Sequence, residues 1–364
     1  MINKKKLEIQ EEAYNALLEN NFRAGVILPT GSGKTLVIIK SLNTLSHCES
    51  ILYCCDNMTL RDVDFPNELK KWDSEHLLNK MTRLCYQSAH KLKNQKYDIL
   101  VCDEGDYMIS PKYIDLIKNN KFKYIIFVSA TLTEEKKQII EQYIPIVFEK
   151  KMKELEDNGV VNKAKYFMVP YMLNPDENKD YIIFSERFKK LLDTDKPNQF
   201  LLNKVKTQRK HFLANLESSA IVCKKLLKKI ESNPQNKTLI FCTMGNQADK
   251  VCTHSHHRGS NNPHYINLLN NGEIKSLSIV GKIDRGVNLV GVNCVIVEAP
   301  FNSGTKAVQK TGRARRLDVN DNAYIFYLIP YYKNRRGDVL PTIVYNWVID
   351  STKDLSPKFK TYNI

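Results

Sequence analysis

The segment Pro29-Thr30-Gly31-Ser32-Gly33-Lys34-Thr35 stands between the apolar runs Ala24–Leu28 and Leu36–Ile39. The first run reads as a buried strand, and the second continues a helix that opens at the end of the loop. Glycine lets a backbone curl so that several N–H groups face one anion, and the helix N-terminus adds its positive end. Lys34 supplies a cation and Thr35 a hydroxyl able to ligate Mg2+. A strand, a phosphate cradle and a helix in that order imply an α/β fold and binding of a nucleoside triphosphate.

The rest of the first half extends the same architecture. Ile51–Cys54, Ile99–Cys102 and Tyr124–Val128 are further short apolar runs separated by helical patterns, and Leu7–Leu18 carries apolar residues at helical spacing. Such alternation predicts a parallel sheet with helices on both faces. A lysine-rich stretch with long helical patterns follows, among them Tyr181–Leu192 and Phe212–Ile230, and then a second strand series: Thr238–Cys242, Leu277–Val280, Cys294–Glu298 and Ala323–Leu328. The chain of 364 residues is long enough for two cores. We expect an α/β fold of two tandem domains, 1–150 and 236–364, joined by a linker and helical lead-in over 151–235. Asn174–Lys179 and Gly259–His264 read as loops.

Charge divides the halves unequally. Residues 1–150 hold 21 Lys and Arg against 20 Asp and Glu, and the remainder holds 34 against 20. A basic half suits a phosphate-backbone partner, because neutralising charges release its counterions. No apolar stretch approaches the ~20 residues that cross a bilayer, and Lys4-Lys5-Lys6 is followed by charge, so a soluble, cytoplasmic protein without membrane partners is expected. Cys102, Cys242 and Cys294 lie inside apolar runs and read as reduced core thiols. Trp72 and Trp347 read as core anchors.

Asp103-Glu104-Gly105-Asp106 directly follows Ile99–Cys102. Two acids at the carboxyl end of a parallel strand sit in the crevice where such sheets bind ligands. Asp103 can hold Mg2+ through water, and Glu104 can orient and deprotonate the water that attacks the terminal phosphate.

These elements resemble the superfamily 2 helicases and translocases across nearly the whole chain. Gln10 is similar to the adenine-reading glutamine, Gly31–Thr35 to motif I with Thr30 and Ser32 in its loop, and Asp103–Asp106 to motif II. Ser129-Ala130-Thr131 resembles motif III, Thr238–Met244 motif IV, Gly281–Leu289 motif V, and Gln309-x-x-Gly312-Arg313-x-x-Arg316 motif VI. The resemblance implies two RecA-like lobes and an ATP- and Mg2+-dependent enzyme, monomeric and open to accessory protein partners. In it, Lys34, Thr35, Asp103, Glu104, Gly286 and Gln309 meet the nucleotide, and ATP closes the lobes. Arg313 and Arg316, three apart, share a helix face, and a guanidinium can bind a phosphate oxygen bidentately; Arg316 is the expected finger and Arg313 a phosphate contact.

Motif V leaves the nucleic acid open, since Arg285-Gly286-Val287-Asn288 also resembles the Arg-Gly-x-Asp of DEAD-box RNA enzymes. Gly105 in place of the DEAD-box alanine, and the likeness of Cys85-Tyr86-Gln87-Ser88 to phage and repair-type duplex translocases, favour DNA. Gln87, Ser88, Ser129, Thr131, Thr243 and His254 are the expected nucleic-acid or coupling residues. Cys252, His254, His256 and His257 have zinc-like spacing but no evident fourth ligand for a closed site, so a nucleic-acid contact or surface loop is the preferred reading. The Lys/Asn/Ile-rich composition fits a viral or phage origin. An RNA helicase, the motor subunit of a restriction or defence complex, and a small-molecule kinase are the other readings; the kinase has no use for motifs III, V and VI.

Overall fold

The computed structural model describes residues 4–194, 198–257, 259, 264–280, 289–299, 321–355 and 357–364. The chain divides into two compact units, one running to Asn162 and the other beginning at Lys163.

In the first unit, Arg23–Ile27 (β1), Ile51–Cys55 (β2), Met81–Cys85 (β3), Lys96–Asp103 (β4), Lys121–Ser129 (β5) and Ile146–Glu149 (β6) form one sheet in the order β3-β2-β4-β5-β1-β6. Every pairing in it is parallel. Lys4–Glu19 (α1), Lys34–Thr44 (α2), Phe65–Lys71 (α3), Tyr86–Ala89 (α4), Asp115–Lys118 (α5), Glu134–Ile140 (α6) and Met152–Asp157 (α7) flank it. The middle strands are apolar without alternation because both faces are covered: every residue of β2 and the last five of β4 and β5 are buried. Leu52, Cys54, Leu100, Cys102, Ile125 and Phe127 form one core cluster with Tyr86 and Ile140.

The second unit repeats the plan. Lys163–Met172 (β7), Thr238–Cys242 (β8), Ser255–His256 (β9), Ser276–Val280 (β10), Cys294–Val297 (β11), Asn322–Lys333 (β12) and Phe359–Thr361 (β14) line up as β14-β7-β12-β11-β8-β10-β9, and Val339–Pro341 (β13) pairs with β12. All pairings are parallel except the β12–β13 hairpin. Pro175–Leu192 (α8), Gln199–Leu213 (α9), Glu217–Glu231 (α10), Gly245–Val251 (α11), His264–Asn271 (α12) and a last helix, Ile343–Thr352, flank the sheet. Two mostly parallel sheets with helical connections are the expected fold class.

Several local expectations need correction. The span 151–235 is more than a linker and helical lead-in: within it β7 pairs with β12 over ten residues, from Lys163 with Asn322 to Met172 with Tyr331. Its lysines obscure a strand whose Tyr166, Val169 and Tyr171 are buried. Asn174–Lys179 is the start of α8 rather than a loop. Asn174 caps it, Pro175 takes the first turn, and Asn174 and Glu177 exchange side-chain-to-backbone hydrogen bonds of 2.9 and 3.1 Å. The pattern over Phe212–Ile230 is broken between α9 and α10, where Ala214 ends one helix and Leu216 caps the next. Trp347 is buried, whereas Trp72 is 39% exposed and donates to Glu68. All nine cysteines are buried free thiols.

Candidate active site

Because β1 to β5 run parallel, the segments that follow them gather along one edge of the first sheet. The glycine loop follows β1, Asp56 follows β2, Tyr86–Ser88 follow β3, Glu104–Asp106 follow β4, and Ala130-Thr131 follow β5.

The loop takes its shape from left-handed glycines, with φ of 95° at Gly31 and 88° at Gly33. Gly33 caps α2, and a Cβ there would come 2.0 Å from the Gln10 amide nitrogen. That nitrogen donates to the Ser32 carbonyl at 2.7 Å, tying α1 to the loop, while Gln10 Oε1 is buried without a hydrogen-bond partner. The buried Ser32 hydroxyl donates to the Pro29 carbonyl at 2.7 Å. Thr30 on the loop and Thr35 in the first turn of α2 are half-buried.

Lys34, the first residue of α2, reaches across to the acids: its Nζ is 3.8 Å from Glu104 Oε1. Glu104 adopts φ 50°, a left-handed conformation that costs a side-chain-bearing residue energy and collects at functional sites. Its Oε2 is buried without a hydrogen-bond partner. Asp103 is held on every side. Its Oδ1 accepts the Glu104 N–H at 2.9 Å, its Oδ2 accepts the Tyr53 hydroxyl at 2.8 Å, and its main-chain carbonyl accepts the Tyr86 hydroxyl at 2.9 Å. Burial, and next the charge of Glu104, push the Asp103 carboxyl up to about 6, against the Tyr53 hydrogen bond and Lys34. Lys136 of α6 donates to the Asp106 carbonyl at 2.7 Å, its Nζ standing 3.7 Å from the Asp106 carboxylate.

Tyr53, Tyr86 and Lys136 were not legible as site residues, since a tyrosine inside an apolar strand reads as core. Tyr53 is indeed core, stacked on Phe65 at 4.0 Å, and only its hydroxyl reaches the acid, at Asp103 Oδ2. Gly105 has a local cause: a Cβ there would meet the Phe127 ring at 2.3 Å. Packing gives the glycine a cause that is independent of the nucleic acid.

Ser129, buried at the end of β5, donates to the Thr131 carbonyl at 3.0 Å, and Thr131 Oγ1 is buried without a hydrogen-bond partner. Gln87 and Ser88 are exposed, and Gln87 donates to the Asp56 carbonyl at 3.3 Å. In the second unit Thr243 follows β8 at the carboxyl edge and donates to the Ala299 carbonyl at 3.4 Å. His254 precedes β9 and so stands on the amino side of that sheet, its ring edge-on to Tyr265 at 5.2 Å. Thr243 and His254 are not brought to one edge. Near it, the Cys252 thiol donates to the Ser276 hydroxyl at 3.5 Å, and Asp249 accepts from both Ser255 and His257. Gly286, Gln309, Arg313 and Arg316, with all of motif VI and motif V up to residue 288, lie outside the described residues.

The residues at the first edge fit a phosphate with Mg2+. The glycine turn leaves no room for a side chain at Gly33, Lys34 supplies the cation beside Glu104 Oε1, and Glu104 Oε2 is buried without a hydrogen-bond partner. Thr35 and Asp103 offer the hard oxygen donors that Mg2+ takes.

No family model matches the chain. A Saccharomyces cerevisiae protein described as "Putative ATP-dependent helicase IRC3" is 20% identical over 339 aligned residues, which cover 83% of this chain and 48% of the relative. The chain thus spans about half the length of that relative. Solved structures of similar fold include the ATP-dependent Type ISP restriction-modification enzyme LlaBIII bound to DNA, at TM-score 0.65 and 13% identity, covering 100% of this chain and 31% of that one. The helicase domain of Pyrococcus furiosus Hef superimposes with TM-score 0.57 at 13% identity, over 96% of this chain and all of that chain. Saccharomyces cerevisiae Dbp5, bound to RNA and ADP BeF3, gives 0.62 at 13% identity, over 98% and 89%. The chain has the tandem RecA-like fold of these structures, in line with the resemblance of its motifs to the superfamily 2 helicases.

Proposed function

We propose that this chain is a nucleic-acid-dependent ATPase that uses ATP and Mg2+ to move along or unwind DNA. The observation that carries the reading is the approach of Lys34 to Glu104 at 3.8 Å, beside a buried Asp103 and a glycine loop that closes on Gln10. Lys34 leaves Glu104 for the phosphates, the loop backbone of Gly31 to Thr35 holds them, and Gln10 presents its unpartnered oxygen to the adenine. Thr35 and Asp103 hold Mg2+, Asp103 through water; once bound, the ion neutralises phosphate charge. Glu104, released from Lys34, takes the proton of the attacking water. Gly286 and Gln309 serve the nucleotide, and Arg313 and Arg316 stabilise charge on the leaving phosphates. Accordingly Arg316→Ala keeps ATP affinity and loses about 10²-fold in stimulated turnover, and Arg316→Lys restores little.

The basic second half and the exposed Gln87 and Ser88 support a nucleic-acid partner. Among the similar structures one is bound to DNA and another to RNA, so the discriminating experiment measures ATP turnover of the purified chain without nucleic acid and with single-stranded DNA, duplex DNA and RNA. The expected result is strong stimulation by DNA. Stimulation by RNA equal to or above that by DNA reassigns the substrate to RNA. No stimulation by any of them points to a motor subunit that needs its complex, and removes the assignment of the isolated chain.

A further inference from the structure

Tyr53 sits in the middle of β2, in register with Val101 of the neighbouring β4, two residues before Asp103. Its ring is fully buried and lies parallel to that of Phe65 at 4.0 Å, with 16° between the planes. Stacked there, the phenol has its hydroxyl directed at one atom, Asp103 Oδ2, 2.8 Å away. The other carboxylate oxygen is taken by the N–H of Glu104 at 2.9 Å. From α4, Tyr86 holds the main-chain carbonyl of the same aspartate at 2.9 Å. A core that needed only volume at these two positions would be served by phenylalanine or leucine; both hydroxyls instead end on one residue.

We infer that Tyr53 is a positioning residue for the Mg2+-binding carboxylate, its hydroxyl fixing the rotamer of Asp103 so that the remaining lone pairs meet the hydration shell of the ion. The inference rests on the proposed ATPase reading. A carboxylate with both oxygens already accepting hydrogen bonds is suited to contact through water rather than to wrapping the ion, and partners that orient a metal-binding group govern affinity almost as strongly as the group itself. Because the hydroxyl is anchored by ring stacking and not by a flexible stem, it holds the aspartate in one place before the metal arrives.

The test is Tyr53→Phe, which keeps the stack on Phe65 and removes one oxygen. Binding of a fluorescent ADP analogue is titrated with Mg2+, and Mn2+ binding to the protein–ADP complex is followed by its electron paramagnetic resonance signal. The Mg2+ concentration that half-saturates tight ADP binding should rise about tenfold and Mn2+ affinity should fall by a similar factor. ADP affinity in EDTA should stay at the wild-type value. In steady state, turnover at limiting Mg2+ should drop while the KM for ATP at saturating Mg2+ stays unchanged. An unchanged metal dependence in Tyr53→Phe overturns the inference, and so does an equal loss of ADP affinity with and without metal, which reports a disturbed fold. Failure of the wild-type chain to bind ADP at all would overturn the ATPase reading along with it, and that outcome is read on the wild type before any variant.

Discussion

Asp103 at the end of β4 and Glu298 just after β11 are carboxylates at the carboxyl end of a parallel strand in each unit, 4% and 3% exposed. Their surroundings differ. Glu298 accepts the Ser219 hydroxyl at 2.5 Å and the Gln247 amide at 3.0 Å, and Gln247 also donates to the Leu216 carbonyl at 2.8 Å. Those are neutral donors from α10 and α11, and they pin two helices to the sheet edge. Asp103 likewise has a neutral donor in Tyr53, but beside it stand a second acid in a left-handed conformation and a lysine on a glycine loop. A buried acid by itself marks only a polar tie. Chemistry needs the cation, the second acid and a backbone turn that can receive an anion, and all three meet at one edge only among the described residues.

The comparison is tested most severely at Glu104. Glu104→Gln removes the base while keeping the shape, so turnover should fall by roughly 10² or more with ATP binding nearly intact. Rapid-quench turnover alongside equilibrium binding checks it. A Glu104→Gln protein that hydrolyses ATP at the wild-type rate would dissolve the contrast between the two edges.

Glu298 should behave in the opposite way. Removing it in Glu298→Ala leaves the Ser219 hydroxyl without its buried acceptor and Gln247 with the Leu216 carbonyl but without Glu298, which costs about 2 kcal/mol of folding stability. Chemical denaturation should show that loss. Nucleotide affinity, measured where the variant is still folded, should be that of the wild type; a tenfold loss of affinity would give Glu298 a part in the site.

Asp103 should show the mark of a group kept at a cost to the fold. Its carboxyl titrates at about 6, above the value near 3.8 expected in an unfolded chain, chiefly because burial penalises the charge. The folded state therefore binds that proton more tightly, so the contribution of Asp103 to stability is most favourable below the unfolded value and is lost as pH rises through about 6. At pH 7.5, without nucleotide, Asp103→Asn should be more stable than the wild type by about 1.5 kcal/mol. That advantage should shrink as pH falls from 6 toward 4. An Asp103→Asn protein less stable than the wild type at pH 7.5 would show that the ionised aspartate is fully compensated by its partners.

What was legible in the sequence follows the same division. Gly31, Gly33, Lys34, Asp103 and Glu104 could be read because their chemistry depends on residue type at fixed spacing after an apolar strand, and the strand runs of both sheets could be read because burial on both faces removes alternation. Tyr53 and Tyr86 could not, since the direction of a phenol hydroxyl is set by packing across strands rather than by neighbours in the chain. The strand β7 was hidden by Lys163 and Lys165 at its exposed start. The start of α8 was hidden for a different reason: Asn174-Pro175-Asp176-Glu177 carries both turn and cap signals, and the reciprocal bonds of Asn174 and Glu177 decide for the helix. Gly105, read as a sign of substrate, also has a packing cause that only its neighbour in space reveals.

Gly105 supplies the smallest expected effect and the one that most sharpens the comparison, because it asks whether a residue inside the acid motif can be purely structural. The Cβ of Gly105→Ala would lie 2.3 Å from the buried Phe127 ring, closer than atoms can stand, so ring or backbone must shift. Overpacking of this kind costs about 1 kcal/mol or somewhat more. Shortening the obstacle should relieve it: in Gly105→Ala combined with Phe127→Leu, the two stability losses should sum to less than their separate values. The ratio of DNA-stimulated to RNA-stimulated ATP turnover should be the same in Gly105→Ala as in the wild type, since the methyl group meets Phe127 and not a ligand. A shift in that ratio without any loss of stability would return the glycine to the list of residues that discriminate nucleic acids, and would show that the motif carries more than its two acids.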